Sequence, residues 1–384
     1  MLFYILKKCR GEILKIKNFK LGIKCTIYYI AKLFGLFQLA IKLTENDFRI
    51  LCYHSGSIHD EHLFCPSVFI TPIILKKHLQ LIEKYRFNVL PLDIVIKKTI
   101  QKDLSKRSLV LTFDDGFFST KQIIEPILKK ANYKATLYLT TYYVTHQRPI
   151  FNIALAYLFF KSEKKSFDIT FLNGESRTFA TKDNKAKNSL EVINEYAKGL
   201  DENQQNQLIN NIGLQLQVNM ELIFDQRIFH NMNPSELKAL DKGGVFDIQL
   251  HTHCHHLSDD DNSVEYEIQK NRRIISDIIS KPEDTLVHFC YPSGIWNKKH
   301  LILLKTNGIV SATTLNPGLN TFDTDLLLLN RILCTNTKPL IIFEAEITGF
   351  NSLFMNSQKF MLLFKDCYCG MTNFFKYWFY KRWR

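Results

Sequence analysis

The sequence predicts an α/β fold built on a parallel sheet or barrel, and three observations carry that expectation. Short apolar runs rich in strand formers alternate with amphipathic helical runs along most of the chain. Several of these runs are continuously apolar, as strands covered on both faces must be. They also end in carboxylates, imidazoles or a Pro-x-Gly turn, chemistry that α/β folds collect at the C-terminal edges of their strands.

Taken in order, FRILCYH (48–54) reads as a buried strand running into a loop. Thr71-Pro72 opens a helix whose Ile74, Leu75, His78, Leu79 and Ile82 share one face. A short strand is expected over Phe87 to Leu90, and a buried parallel strand over SLVLTF (108–113). A helix over Gln122 to Lys130 and a strand over Ala135 to Leu139 follow. Residues 151–232 break the alternation and read as an insertion. It comprises a helix over Phe151 to Phe160, a hairpin between Phe167 and Phe179 around Asn173-Gly174, and a polar helical stretch from Lys187 to Leu216. The alternation resumes at Asn233-Pro234-Ser235-Glu236, a capping box with proline at the first helical position. Strands are then expected near Phe246 to Leu250, Leu286 to Tyr291 and Ile309 to Thr313.

The chain has 384 residues, 46% of them apolar, which suffices for one large domain with additions. Its formal charge of +13 admits an anionic membrane surface, an acidic substrate or nucleic acid as partner; biased lysine usage is the plainer explanation. No nucleic-acid recognition motif is present, so nucleic acid is not expected. Nine cysteines, an odd number without a CxxC pair, point away from a disulfide framework and toward a reducing compartment. With no secretory signal pattern at the start, a cytoplasmic location is expected.

Three segments carry chemistry. Thr112-Phe113-Asp114-Asp115-Gly116 delivers two adjacent carboxylates to a strand end, and Gly116 supplies the freedom for a turn that lets both reach one site. The alternative is a solvated turn or a helix cap. His251-Thr252-His253-Cys254-His255-His256 places four imidazoles in six residues after another apolar strand. Imidazole is the commonest ligand for zinc. His251 and His255, four apart, converge on one helical turn or within a loop; Cys254 sits out of phase with them. Phe289-Cys290-Tyr291-Pro292-Ser293-Gly294 forms a tight turn able to aim a backbone N–H at a developing oxyanion.

In this order and spacing the three segments resemble the polysaccharide deacetylase family, also called the NodB-homology or carbohydrate esterase 4 group. ILCYHS with VFITPIILKKHLQLIEKY, EPILKKANYKATLYL, GIVSATTLNPGLN and LNRIL extend the resemblance over about residues 48–350. It implies a distorted (β/α)7-type barrel and removal of an N-acetyl or other N-acyl group from an amino sugar. A divalent metal, usually zinc, would be held by Asp115, His251 and His255, with Asp114 as general base. Ser293 stands where the family often has a tyrosine whose backbone N–H assists the oxyanion. Cys290 takes the place of an arginine that steers the catalytic aspartate, and Arg331 is the expected substitute. Many members use a late histidine as general acid. The last histidine here, His300, lies outside any such motif, and His54 is the expected replacement, with a structural hydrogen bond as its alternative. These departures keep a second reading open, a non-catalytic glycan-binding member of the same fold.

Two flanking regions complete the organisation. Residues 1–47 carry nine basic side chains, and Ile30, Leu33, Phe34, Phe37 and Ile41 follow helical spacing between lysines. This suits a helix on a membrane surface or one packed on the domain. Residues 351–384 end in Phe374, Phe375, Tyr377, Trp378, Phe379, Tyr380 and Trp383 interleaved with Lys376, Lys381, Arg382 and Arg384, which suits a lipid headgroup interface, with a terminal helix packed on the domain or stacking on nucleic-acid bases as the alternatives. The expected substrate is therefore a surface glycan or its lipid-linked precursor, met at the inner face of the cytoplasmic membrane.

Overall fold

The computed structural model describes residues 11–355. Seven parallel strands form its centre: β1 (Arg49–Tyr53), β2 (Ser108–Asp115), β3 (Ala135–Leu139), β4 (Phe246–Leu250), β5 (His288–Cys290), β6 (Ser311–Thr313) and β7 (Ile332–Leu333). Their order across the sheet is β6-β5-β4-β3-β2-β1-β7. The run into β7 also reaches β6. Leu329 N–H donates to the Ala312 carbonyl at 3.0 Å, and Thr314 N–H donates to the Leu329 carbonyl at 2.9 Å. The sheet thus curls round on itself as a distorted barrel with helices outside, the architecture the resemblance implies.

Strand alternation decides which residues see the barrel interior. Leu51, Leu111, Phe113, Leu137, Leu139, Ile248 and Leu250 face the outer helices and join the main core. Ile50, Val110, Tyr138 and Cys290 form a second cluster with Leu92, Val95 and Ile96 of the helix Leu92–Ile100. Asp114 continues this inner row at the end of β2.

Local signals formed as their chemistry dictates. Thr71 caps the helix Pro72–Lys84, its hydroxyl accepting from Ile74 N–H, and His78 lies on the buried face. Asn233 and Glu236 form the capping box of Pro234–Gly243. The insertion has its own core, built by the helix Phe151–Lys161 and the hairpin Ser166–Thr170/Ser176–Ala180, with Phe167 opposite Phe179. The stretch expected as one helical region is two helices, Asp183–Lys198 and Glu202–Gln215, because Asp201 starts a new capping box with Gln204 after Gly199.

Two expectations need correction. The strand over Phe87 to Leu90 shrinks to Asn88–Val89, paired with the start of β2. The N-terminal apolar residues do not share one face. The chain bends by 79° between α1 (Gly11–Leu33) and α2 (Leu36–Leu43), and Gly35 adopts φ +75°. Phe37 and Ile41 pack inward, whereas Ile30, Leu33 and Phe34 stay exposed. Tyr28 and Phe37 pack against Phe350, and the Tyr28 hydroxyl donates to Asn351 at 2.6 Å. This segment therefore rests on the domain while presenting an apolar corner outward. The aromatic and basic stretch from Phe374 to Arg384 lies outside the described residues.

Candidate metal and catalytic site

The site sits where β1, β2, β4 and β5 end. Strand β2 runs through both aspartates, and Asp115 takes φ +75°, a left-handed conformation that turns its side chain from the path of a regular strand. Gly116 continues the turn at φ +89°; a Cβ there would lie 2.2 Å from Leu139 Cδ1. Asn231 Nδ2 holds the Asp115 carbonyl at 2.9 Å. After β4 the chain forms a loop rather than a helical turn, with Thr252 at φ +63° and His255 at φ +56°. Such residues cost local strain and concentrate at functional sites.

These distortions bring three side chains together. Asp115 Oδ1 lies 3.4 Å from His251 Nε2 and 3.4 Å from His255 Nε2. Both separations exceed the 2.7–2.9 Å of a charge-assisted hydrogen bond. Asp115 Oδ1 is buried and has no hydrogen-bond partner within the protein. A tetrahedral site with bonds of about 2.05 Å has edges of about 3.3 Å, so the three atoms stand at a spacing that fits a shared cation. The donor set fits as well. His251 Nδ1 lies 2.8 Å from the Cys290 carbonyl, which can only accept, so Nδ1 carries the proton and Nε2 offers its lone pair. Burial pushes the Asp115 carboxyl up, but the imidazoles of His251, His255 and His54 outweigh it and hold the group far below the usual carboxylate range.

Asp114 occupies the inner side of the same strand end, and Arg331 comes to it from the segment entering β7. Arg331 Nη1 donates to Asp114 Oδ1 at 2.8 Å, and its Nε donates to the Thr314 carbonyl at 2.8 Å. Both side chains are almost fully buried. Burial works to raise the Asp114 carboxyl, and the Arg331 charge, followed by His251 and His54, brings it below the ordinary value. Two thiols, Cys52 and Cys290, lie 3.6 and 3.7 Å from Asp114 Oδ2. Asp114, His251 and Cys290 are close enough to form an alternative metal set. Arg331 Nη2 already sits 3.1 Å from Cys290 Sγ, however, and a guanidinium there opposes a dication.

The remaining sequence candidates fall into two groups. His54 directly follows β1, and its Nδ1 is buried without a partner within the protein; it acts electrostatically on both aspartates. Ser293 is exposed at φ +56° in the turn after β5, three residues beyond the carbonyl that orients His251. Cys254 is exposed and outside the metal set. His300 caps its own helix and contacts the Ser258 carbonyl at 2.9 Å, a structural role.

Sequence reasoning missed Asn271. Buried in the helix Asp261–Ile279, it accepts from His251 N–H at 3.0 Å and donates to the Leu139 carbonyl at 2.9 Å, tying the ends of β3 and β4 together. One asparagine in a polar helix gives no signal of this in the sequence.

A curled parallel sheet with a carboxylate and two imidazoles converging at its C-terminal edge defines an α/β-barrel protein with a candidate metal site. The chain belongs to the polysaccharide deacetylase family, whose profile matches residues 101–312. A Streptococcus pyogenes deacetylase, PplD in complex with acetate, shares the fold: 16% identity over 78% of this chain and 98% of that one, with a TM-score of 0.51. IcaB from Ammonifex degensii aligns at 13% identity over 79% and 97% of the two chains, with a TM-score of 0.49. The Bacillus cereus polysaccharide deacetylase BC0361 aligns at 16% identity over 78% and 69%, with a TM-score of 0.48. No curated protein matches the chain in sequence.

Proposed function

We propose that the protein is a metal-dependent hydrolase that removes an N-acetyl or other N-acyl group from an amino sugar of a surface polysaccharide or its lipid-linked precursor. The observation carrying this reading is the orphaned Asp115 Oδ1 held 3.4 Å from two imidazole nitrogens, with a second carboxylate next in sequence. Asp115, His251 and His255 hold the cation, zinc by the donor types. When bound, it polarises the acyl carbonyl and acidifies water.

The chain's own residues supply the rest. Asp114 accepts the proton of the attacking water, and Arg331 fixes the carboxylate that does so. The Ser293 backbone N–H contributes to oxyanion binding at the rim. The C–O bond forms as this water attacks the acyl carbon, and His54 then delivers a proton to the leaving amine as the C–N bond breaks. The products are acetate, for an acetyl group, and a free sugar amine.

Acetate release from N-acetylglucosamine oligomers, with mass spectrometry of lipid-linked sugars from cells with and without the protein, tests the reading. Activity is expected to vanish with chelator and return with zinc, and His54→Ala is expected to lose turnover mainly where the leaving amine needs protonation. Unchanged glycans and no acetate release from any acceptor would leave the non-catalytic, glycan-binding alternative.

We further propose that the protein works at the inner face of the cytoplasmic membrane. Among the described residues no single helix is long and apolar enough to cross a membrane. The α1–α2 corner instead exposes Leu33 at 83% and Phe34 at 75%, beside Tyr29 and Ile30. The described chain also ends next to α1, where the Tyr28 hydroxyl meets Asn351. Rings and aliphatic tips flanked by cations suit an anionic lipid surface. Sedimentation with phosphatidylglycerol vesicles is expected to carry the protein down, and Leu33→Glu/Phe34→Glu to weaken this several-fold; full solubility beside the vesicles would refute it.

A further inference from the structure

Arg148 is 5% exposed, and its Nε and Nη1 are buried without an acceptor in the protein. Its Nη2 donates to the Tyr142 hydroxyl at 2.9 Å. The Tyr142 and Tyr143 rings lie 5.4 and 5.7 Å from its guanidinium carbon. Aromatic faces attract a cation but accept no conventional hydrogen bond. Among the described residues, no carboxylate lies within ion-pair distance of it. The other two fully buried arginines are provided for: Arg49 meets three backbone carbonyls, and Arg331 meets Asp114. A buried charge without a counter-charge is costly, so Arg148 stands out.

Its position ties it to the site. The segment 140–148 leaves the C-terminal end of β3, the strand beside β2. Thr140 Oγ1 donates to the His251 carbonyl at 3.2 Å, Thr141 Oγ1 lies 3.0 Å from His253 Nδ1, and Tyr142 N–H donates to the His253 carbonyl at 2.8 Å. His253 is midway between the two metal-ligand candidates. Tyr142 and Tyr143, whose rings flank the guanidinium, are half-buried.

We propose that Arg148, with the Tyr142 hydroxyl, is a subsite for an anionic substituent, a carboxylate or phosphate, on the glycan processed at Asp114 and Asp115. The guanidinium fork suits the oxygens of either group. Turning one tyrosine ring aside admits the anion, which supplies the missing counter-charge. The identity of this anion as part of the substrate rests on the deacetylase reading; the anion binding itself does not.

Calorimetric titration of the full-length protein with glucuronate, inorganic phosphate and neutral N-acetylglucosamine tests the subsite. Wild type is expected to bind at least one anion, and Arg148→Gln to weaken that binding on the order of tenfold without altering N-acetylglucosamine binding. Preference for glucuronate identifies an acidic sugar; preference for phosphate identifies a phosphodiester or a lipid-linked phosphate. Arg148→Gln is also expected to melt no lower than wild type, since it removes an unpaired buried charge. Anion binding equal in the two proteins, no anion binding in wild type, or a lower melting temperature with anion binding unchanged would each overturn the proposal. Should Arg148→Gln fail to fold, Tyr142→Phe provides the comparison, with several-fold weaker anion binding expected and unchanged binding counting against the subsite. Loss of anion binding in a protein that releases no acetate would still support the subsite while refuting the hydrolase reading.

Discussion

Asp115→Asn is expected to lower acetate release by on the order of 10³-fold or more and to strip bound zinc from the purified protein. Asparagine is the right replacement because it tolerates the left-handed backbone that Asp115 adopts at φ +75°. The turn and its contact with Asn231 then survive while the anionic ligand is lost. Metal content by atomic emission and turnover should fall together. Retention of both would show that the carboxylate facing His251 and His255 holds no cation.

The second large effect concerns Arg331→Met. Methionine fills similar space without charge, leaving Asp114 buried without its main counter-charge. Breaking such a pair from one side costs about 3–5 kcal/mol, which a urea midpoint would register. Turnover should fall as well, because the carboxylate loses the donor that fixes its Oδ1. The double variant Asp114→Asn/Arg331→Met is expected to recover part of the stability but no activity, since the two side chains act as one unit. A single variant as stable as wild type would mean that the thiols of Cys52 and Cys290 satisfy Asp114 by themselves.

Much of this site is legible in the amino-acid sequence alone. The Asp114-Asp115-Gly116 turn and the histidine run after β4 announce themselves because strands end abruptly in residues that do not belong in a core. Arg331 is harder to place. It lies 217 positions from Asp114, and only closure of the sheet through Leu329 and Ala312 brings its segment back to β2. Cys290 marks a departure in the sequence, yet only the structure puts its carbonyl on His251 and its sulfur beside Arg331. Asn271 and Arg148 give no signal, since a lone amide or guanidinium in a polar stretch looks like any solvated residue.

The N-terminal region shows the converse. Ile30, Leu33, Phe34, Phe37 and Ile41 match a helical period, but Gly35 turns the chain and divides them between the domain and the exterior. Periodicity and capping chemistry are local, so the sequence by itself determined most of the alternation of strands and helices and the residue types of the site. Which residues meet across the barrel, which charge finds a partner and which is left without one are settled by long-range closure of the sheet. Only tertiary structure decides them, because they depend on distances between segments that no local pattern encodes.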